Sequence, residues 1–341
     1  MKKKVGAILV IAALLLSGIC FFVISKSNKD IETSQTLVVV SPHPKEFMIP
    51  LIQEFESETG IRTTIISSGT SNAIESIENG EDVDALWGGS ILSVGPYKDY
   101  FYPYVSLNRA IYKEKYKKVD DEFTCFSDVP SILIVNEDII GDTIIEGYED
   151  LLKPELKGEI AFADPAKSSS SFEHLVNMLY AMGDGNADDG WEYVGKLIDQ
   201  LDGKLLTSSS EVYTGVANGK YKVGLTFEEA AVTMLKNDKH IRIVYMEEGV
   251  VTTPDGIYIN KNTDKLTEAE RFVDFMTSKN TQVYMASELG RRSVRKDVEP
   301  SSLVIADDEI HTISVKKDRV VNSKSLWTDR FSAMYGEKNH E

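Results

Sequence analysis

From Thr36 onward, short runs of β-branched and other apolar residues alternate with stretches in which apolar residues recur three or four positions apart. The first pattern is typical of buried strands and the second of amphipathic helices. Their alternation predicts an α/β fold, with helices packed on a mostly parallel sheet. The predicted strands are Thr36–Val40, Arg62–Ser67, Val83–Trp87, Ser131–Val135, Glu159–Ala163, Lys222–Leu225, Ile241–Tyr245 and Gly256–Ile259.

A helix is predicted between the first two strands, from Pro44 to Thr59. Its apolar residues fall on one face, and Gly60 just beyond it is a typical C-terminal stop. Strand, helix and strand together predict a βαβ unit at the start of the fold. The apolar face consists of Phe47, Met48, Leu51, Ile52 and Phe55.

Residues 1–30 have the pattern of an export signal, with Lys2–Lys4 followed by an apolar run from Val5 to Ile24. The run is also long enough to span a bilayer. Leu16–Cys20 resembles a lipobox, although Ile19 stands where a small residue is usual. A lipid on Cys20 or an uncleaved anchor would each tether the body outside the cytoplasm. We therefore expect an extracytoplasmic protein, tethered at the cell surface or periplasmic.

Composition narrows the classes of partner. The chain has 341 residues, 42% of them hydrophobic, which is enough for about two packed domains. The formal net charge of the chain is −17. Residues 1–30 hold five Lys and one Asp, a charge of +4, so residues 31–341 carry −21. Such an acidic body repels nucleic acid and anionic membrane surfaces. With Cys20 and Cys125 as its only cysteines, the chain has no disulfide within its body and no cysteine metal cluster, and we expect no cofactor.

Hydroxyl and glycine residues cluster directly after the predicted strands and at a later helix start. Ligands of open α/β sheets bind beyond the carboxyl ends of strands, where helix N-termini offer free N–H groups. Glycine lets the backbone approach a ligand, and hydroxyl groups donate hydrogen bonds without a fixed charge. This pattern predicts a site for an oxyanion. The segments are Ser41–Pro44, Ser68–Ser71, Gly88–Ser90, Asp164–Ser171 and Thr207–Ser210.

Helix capping is the structural alternative for these hydroxyl groups. Capping boxes match at Ser170-x-x-Glu173, Ser208-x-x-Glu211 and Thr226-x-x-Glu229. Capping needs one hydroxyl group per helix, whereas the segments carry several each. We therefore favour a binding site over capping alone.

Several of these segments, in their order and spacing, resemble the extracellular solute-binding proteins of ABC importers, in the branch of ferric-ion, phosphonate and sugar-phosphate binders. The resemblance covers roughly Thr36 to Val298. It implies the type II periplasmic-binding fold, two α/β lobes joined by two crossing strands near Phe126–Val135 and Val250–Ile257. Lobe 1 would hold residues 31–125 and 251–341, and lobe 2 residues 126–250. The matching pieces are Ser41–Glu46, Asp82–Ser90, Tyr148–Leu152, Leu156–Gly158, Ala163–Pro165, Val223–Ala230 and Pro254–Gly256.

The resemblance also implies how the protein works. A small anionic ligand that touches both lobes would stabilise their closed form, and a membrane permease would detect the closure. The permease and its ATPase would be separate chains, because the sequence has no G-x-x-x-x-G-K-[ST] motif. We expect a monomer.

Ferric-binding members hold iron with an adjacent Tyr pair, and Glu229-Ala230 stands at the matching place here. Glu228, Glu229 and His43 offer donors that suit a metal, which keeps iron as the alternative ligand. A phosphonate or sugar phosphate fits the serine clusters better, with Glu229 accepting hydrogen bonds from the rest of the ligand. The predicted ligand-binding residues are Ser41, His43, Ser68, Thr70, Ser71, Asp164, Ser169, Ser170, Ser209, Tyr213, Glu228 and Glu229.

The sequence argues against two other classes of protein. An exported hydrolase would need an activated nucleophile, and the chain has no G-x-S-x-G elbow, so we predict no catalytic residues. An adhesion or scaffold protein would leave the serine and glycine pattern unexplained. The positive cluster Arg291, Arg292 and Arg295 is a second candidate contact for an anion, but arginines near a helix end more often form solvated ion pairs, which we expect here.

Overall fold

The computed structural model describes residues 36–339, so the predicted export signal and tether lie outside the described residues. The chain opens with parallel strands: β1 pairs with β2 on one side and with β3 on the other. Gly60 ends the first helix in the left-handed conformation, at φ 71°, as the sequence predicted. The elements are β1 (Leu37–Ser41), α1 (Lys45–Thr59), β2 (Thr63–Ser67), α2 (Thr70–Glu78), β3 (Ala85–Ser90), α3 (Ile91–Val94) and β4 (Phe101–Tyr102).

The middle of the chain adds a second set of strands and helices. These elements are β5 (Thr124–Asn136), β6 (Ile160–Ala161), α4 (Ser169–Ala181), α5 (Trp191–Leu201), α6 (Ser209–Ala217), β7 (Val223–Phe227), α7 (Glu228–Lys236) and β8 (Ile241–Val244). The chain then returns through β9 (Thr252–Asn260), α8 (Leu266–Met276), α9 (Lys279–Ser287), β10 (Arg292–Ser293) and α10 (Lys317–Asn339). None of the helices within residues 36–339 has the length and apolar character needed to cross a membrane.

Two strands join the halves. All thirteen residues of β5 are buried, and its first half pairs with β9. Its second half pairs with β7 and β8, while β9 also pairs with β3. The sheet order is therefore β2-β1-β3-β9-β5-β7-β6. Strand β5 covers the predicted crossing Phe126–Val135, and β9 covers Val250–Ile257 from Thr252 onward, so the prediction of two α/β lobes joined by crossing strands is confirmed. Six of the nine strand pairings in the described residues are antiparallel, so the expectation of a mostly parallel sheet is wrong.

Separate hydrophobic cores fill the two lobes. In one lobe, Phe55, Trp87 and Phe272 pack between α1, α8 and the sheet. In the other, Phe162, Leu179 and Leu197 form the centre of a larger core. The C-terminal helix α10 adds Trp327 and Phe331 to this larger core. The same helix also contacts the first lobe, where Lys324 Nζ donates to the carbonyl of Ser93 at 3.4 Å.

Candidate functional site

A cavity of about 480 Å³ lies between the two lobes, at the ends of β1 and β3 and the starts of several helices. Residues of both lobes and of the crossing strands line its walls, so a ligand in this cavity contacts both lobes. The first lobe contributes Pro42, His43, Pro44, Gly69, Thr70, Gly89 and Ser90. The second contributes Lys167–Ser170, Glu173, Ser208–Ser210, Tyr213 and Phe227. Val129, Asp255 and Arg291 complete the lining.

Helix starts supply hydroxyl groups to this cavity beyond those that cap. Ser168 caps α4 by accepting from the N–H of Ser171 at 3.3 Å, and Ser208 caps α6 by accepting from that of Glu211 at 3.3 Å. The predicted box at Ser208 is therefore confirmed, whereas the cap of α4 is Ser168 rather than Ser170. Ser169 and Ser209 follow these caps and line the cavity.

The start of α2 has no side-chain cap at all. Its N-cap is Gly69, which lines the cavity, so its first N–H groups face the cavity without a side-chain acceptor. Across the cleft, the hydroxyl of Ser169 lies 3.5 Å from that of Thr70. The two lobes thus meet here through their helix starts, in a contact between two hydroxyl groups.

A double glycine in β3 makes room for two of the lining residues. Gly88 has φ +114°, and a Cβ at this position would lie 2.6 Å from His43 Nε2. Gly89 has φ +84°, and its Cβ would lie 2.7 Å from Cγ2 of Thr70. Both conformations disfavour other residues, and both contacts leave no space for a side chain. The glycines therefore set the depth of the cavity on the first lobe.

The floor of the cavity is a buried ionic cluster centred on Arg291. Its guanidinium pairs with Glu229, and its Nη1 lies 2.9 Å from Oδ2 of Asp255. Its Nη2 donates to Nδ1 of His43 at 3.3 Å. The side chain of Arg291 is only 4% exposed. One arginine thus serves as the counter-ion of two carboxylates, on α7 and β9, and holds the imidazole beside them.

The expectation of solvated arginine pairs is wrong. Arg292 is 2% exposed and holds Glu228, itself 1% exposed, at 2.7 Å. The hydroxyl of Tyr245 also donates to Glu228. Arg295 is 8% exposed and pairs with Asp297 at 2.9 Å. The chain folds back after α9 and carries these side chains into the interior, which a linear pattern of charges does not reveal.

Burial changes the protonation of groups around the floor. The pKa of His43 is well below its usual range, because the ring is buried and lies beside Arg291, so the imidazole is neutral at pH 7. Burial raises the pKa of Glu173 to about 8, against a smaller effect of its hydrogen bond with Ser90. Burial also raises the pKa values of Glu229 and Asp255, and the charge of Arg291 opposes that rise. The cavity therefore combines donors at the helix starts with a polar floor in which one guanidinium is shared by two carboxylates.

Of the predicted site residues, the structure brings six to the wall of this cavity: His43, Thr70, Ser169, Ser170, Ser209 and Tyr213. The side chain of Glu229 lies just behind the wall, on Arg291.

The others lie elsewhere. The hydroxyl of Ser41 is buried and accepts from the N–H of His43 at 3.2 Å. The backbone of Ser68 donates to the carbonyl of Ser41, and Ser71 lines a neighbouring cavity. Asp164 accepts from the N–H of Ala166 and thereby shapes the turn before α4. Glu228 is locked in the core by Arg292, which corrects its predicted place in the site.

The predicted ligand-binding residues left out eight polar residues of the wall: Ser90, Lys167, Ser168, Glu173, Ser208, Ser210, Asp255 and Arg291. Four of these, Lys167, Ser168, Ser208 and Ser210, belong to the predicted hydroxyl-rich segments. Ser90 and Asp255 were inside recognised segments, and Glu173 was visible only as the partner of a cap. Arg291 was recognised as part of a positive cluster, but nothing in its segment shows that the fold carries it to the floor of the cavity.

Comparisons with known proteins agree with this geometry. The chain is 20% identical over 310 residues to a probable ABC transporter periplasmic-binding protein of Sinorhizobium fredii, covering 87% of this chain and 86% of the relative. AfuA, a periplasmic binding protein of Actinobacillus pleuropneumoniae described with fructose-6-phosphate bound, has a TM-score of 0.79 at 20% identity, covering 88% of this chain and 98% of that one.

Two further solved structures are similar. Apo ferric ion-binding protein A of Pasteurella haemolytica has a TM-score of 0.75 at 18% identity, with 88% of this chain and 97% of that chain covered. A two-component system protein described as mediating signal transduction has a TM-score of 0.73 at 29% identity, with 83% and 95% covered. The likeness to periplasmic binding proteins confirms the type II periplasmic-binding fold.

The family itself follows from a sequence profile. The profile that describes bacterial extracellular solute-binding proteins matches residues 50–312. This range includes both crossing strands, the helix starts around the cavity and Arg291. The chain therefore belongs to the family of bacterial extracellular solute-binding proteins.

Proposed function

We propose that this protein is the extracytoplasmic substrate-binding component of an ABC importer and that it captures a phosphorylated organic solute, a phosphonate or a sugar phosphate. One observation carries the proposal: three helix starts line one cavity between the lobes. Helix α2 begins there without a side-chain cap, and α4 and α6 bring hydroxyl groups beyond the ones that cap them. Such donors suit a phosphoryl group, since they match its several acceptor oxygens without requiring a full counter-charge.

On this proposal, the two ends of the cavity bind different parts of the ligand. The phosphoryl group accepts hydrogen bonds from the hydroxyl groups of Ser169 and Ser209 and from the N–H groups in the first turn of α2, which follows Gly69. Asp255 and His43 face the rest of the ligand, with Glu229 holding Arg291 in place. The carboxylates accept hydrogen bonds from hydroxyl or amino groups, which gives specificity beyond the anion.

Fe(III) fits this cavity less well than a phosphorylated solute does, because of Arg291. Its guanidinium occupies the position between Glu229 and Asp255 and contacts His43, so a trivalent cation there would meet a fixed positive charge. Within residues 36–339, no group of three or more His, Cys, Asp or Glu side chains is arranged to hold a metal ion. The phenolic pair of ferric relatives is replaced by Glu229 and Ala230.

Closure of the two lobes signals to the membrane permease that a ligand is bound. A ligand that bridges Ser169 of the second lobe and Gly69 of the first stabilises the closed arrangement of the lobes, with β5 and β9 as the hinge. We assign residues 31–125 and 251–341 to one lobe and 126–250 to the other, as the resemblance implies, except that α10 packs on the core of the second lobe. We assign residues 1–30 to export and tethering. The protein acts as a monomer, without catalysis, beside a permease and an ATPase encoded as separate chains.

A sensor kinase is a second candidate receiver of the closed form. The relative at 29% identity is described as a two-component system protein that mediates signal transduction. Binding and closure would be the same in either role, and only the membrane partner would differ. Crosslinking of the ligand-saturated chain in its own membrane, followed by mass spectrometry, decides between a permease and a histidine kinase.

Thermal melting of the full-length chain in mild detergent tests the ligand class. The panel is a set of sugar phosphates, phosphonates, inorganic phosphate and Fe(III) with citrate, and unphosphorylated sugars serve as controls. A ligand at about 100 times its dissociation constant stabilises the folded state by about 2.7 kcal/mol. We expect a clear rise in Tm with one class of phosphorylated solute. A rise with Fe(III) alone, or with no member of the panel, contradicts the proposal.

Variants of the helix starts locate the binding mode. S169A and S209A each remove one hydroxyl group from the wall, and each should weaken binding of the phosphorylated ligand by about three- to tenfold. S302A removes an exposed hydroxyl group far from the cavity and serves as the matched control. Equal affinity in all three variants would remove the α4 and α6 starts from the site.

A further inference from the structure

A second cavity of about 440 Å³ lies beside the first. The two share the wall formed by Gly69, Thr70 and Lys167–Ser169, where the hydroxyl groups of Thr70 and Ser169 meet. We call the first cavity the inner chamber and the second the outer chamber. The contact between Thr70 and Ser169 thus divides a single cleft into two chambers.

The outer chamber is electropositive. Its lining includes Lys167 and Lys324 and not one Asp or Glu. The remaining polar groups are neutral hydroxyl and amide groups, among them Ser71, Asn72 and Asn322. Lys167 pairs with Asp164 at 3.3 Å, so the unpaired positive charge of the lining comes from Lys324. A cleft with an unpaired ammonium group, neutral donors and no carboxylate in its lining favours a negatively charged occupant. In a body with such an excess of acidic residues, a lining free of carboxylates stands out from the surrounding surface.

Lys324 is the central observation. It lies on α10, and among residues 36–339 its ammonium has no carboxylate within ion-pair distance. Its single hydrogen bond is the one to the carbonyl of Ser93, at 3.4 Å. Burial lowers the pKa of Lys324, against an opposing effect of Glu173, which is itself largely protonated at pH 7 because burial raises its pKa to about 8. A half-buried ammonium group without a counter-ion calls for an anion from outside the protein.

The helix that carries Lys324 is also outside the family profile, which ends at residue 312. Helix α10 packs on the core of the second lobe through Trp327 and contacts the first lobe at Ser93 and Gly95. It therefore closes one side of the cleft and presents Lys324 to both lobes. The outer chamber depends on this helix.

We propose that the outer chamber binds an anionic group and that the preferred ligand is therefore an organic solute with two anionic groups, such as a sugar bisphosphate. One group occupies the inner chamber, as in the proposed function on which this ligand assignment rests, and the other pairs with Lys324. The same chemistry admits a separate inorganic anion in the outer chamber beside a singly phosphorylated ligand.

Calorimetric titration of the full-length chain in detergent distinguishes these cases, with fructose 1,6-bisphosphate, fructose 6-phosphate and inorganic phosphate as probes. We expect wild type to bind the bisphosphate about tenfold more tightly than the monophosphate. K324Q should lose that advantage while its affinity for the monophosphate changes less than about twofold. K317Q, an exposed lysine of the same helix that lines neither chamber, is the matched control and should retain the preference.

The separate-anion case has its own signature. Phosphate titrated into wild type saturated with the monophosphate would then give binding heat that disappears in K324Q. K324R keeps the charge and should rescue either result, and equal urea midpoints of K324Q and K317Q show that the fold is intact. An unchanged bisphosphate preference in K324Q, without phosphate heat in wild type, overturns the proposal.

Crystals soaked in tungstate separate this inference from the proposed function. An anomalous peak beside Lys324 that is absent in K324Q supports the outer chamber as an anion site, even if no sugar phosphate binds. Tungstate bound only in the inner chamber, or nowhere in the cleft, refutes it. Failure of all sugar phosphates together with a tungstate peak at Lys324 would reject the proposed solute and retain the anion site.

Discussion

Arg291 and Glu229 form an ion pair in which the two side chains are 4% and 8% exposed, at the junction of the lobes. Glu229 is the second residue of helix α7 in the second lobe, while Arg291 precedes β10, which pairs with the first half of β5. Because Asp255 on β9 shares the same guanidinium, the cluster ties both lobes to a crossing strand. The cluster thus links the two lobes at the floor of the cavity.

The first prediction concerns the variant R291M. It leaves two buried carboxylates without their counter-ion, so the free energy of unfolding should fall by about 3–5 kcal/mol. Urea denaturation monitored by circular dichroism measures the change. R319M is the control, because Arg319 pairs with Asp188 at the surface, with both side chains partly exposed. That variant should lose less than about 1 kcal/mol. A loss in R291M no larger than in R319M would show that the cluster is dispensable for the fold.

The second prediction concerns pH and Glu173. Burial raises its pKa from 4.5 to about 8 in the folded state, so the folded protein holds a proton that the unfolded chain releases. Its contribution is thus fully present below pH 4.5 and is lost as the pH rises through about 8. The variant E173Q imitates the protonated form and removes this loss. It should be more stable than wild type at pH 8 by at least about 1 kcal/mol.

Urea denaturation at a series of pH values tests this prediction. The advantage of E173Q should shrink as the pH falls and vanish near pH 4.5, where wild-type Glu173 is protonated in both states. E192Q is the control, since Glu192 is exposed and its pKa is lowered by Lys196. Parallel pH profiles of wild type and E173Q would contradict a protonated carboxyl group in the cavity wall.

Much of the fold followed from the sequence because its signals are local. The strands and first helix were visible as periodic apolar runs, and Gly60 stopped the helix as predicted. The crossing strands were placed by resemblance, and β5 proved longer than the predicted Ser131–Val135 because its first half pairs with β9. Pairing partners far along the chain determine where a strand begins.

The site was predicted less completely, and the reason is again distance along the chain. Hydroxyl groups at helix starts could be located from their own segments, as Ser169 and Ser209 show. Glu228 and Glu229 are neighbours in sequence, yet only Glu229 reaches Arg291 below the cavity, because the two side chains point to different arginines. Such choices depend on tertiary packing around each carboxylate and leave no pattern in a single sequence.

The third prediction separates the histidines by charge. Burial lowers the pKa values of His43 and His174, the latter to about 4, whereas Asp138 raises that of the exposed His240. Nuclear magnetic resonance of the imidazole groups at pH 6 should show His240 as a cation and the other two as neutral rings. His174 stays neutral because burial disfavours its charged form, against a smaller opposing effect of its hydrogen bonds with the backbone of Thr226 and Ile132.

The same shifts determine the response to acid. Because the folded pKa values of His43 and His174 lie below 6.5, the unfolded chain takes up protons first as the pH falls. Their contribution to stability is therefore complete above pH 6.5 and is lost as the pH falls through the folded pKa, which for His174 is about 4. The variant H174Q should show a smaller loss of unfolding free energy between pH 6.5 and pH 5 than wild type, since the opposing contributions of Glu229 and Asp255 are the same in both proteins. Parallel pH profiles of wild type and H174Q would contradict this assignment.

The last prediction compares two glycines with positive φ. In G88A, the new Cβ would lie 2.6 Å from Nε2 of His43, on a residue with φ +114°. In G80A, the residue has φ +71° and the new Cβ meets nothing within 4 Å. G80A should therefore lose only the cost of the left-handed backbone, about 1–2 kcal/mol. G88A should lose at least about 2 kcal/mol more, because His43 must leave its place beside Arg291. Urea denaturation of both variants measures the difference, and the imidazole resonances of His43 report its displacement. Equal losses in G80A and G88A would mean that the wall of the cavity yields to a methyl group, and the double glycine would then not set its depth.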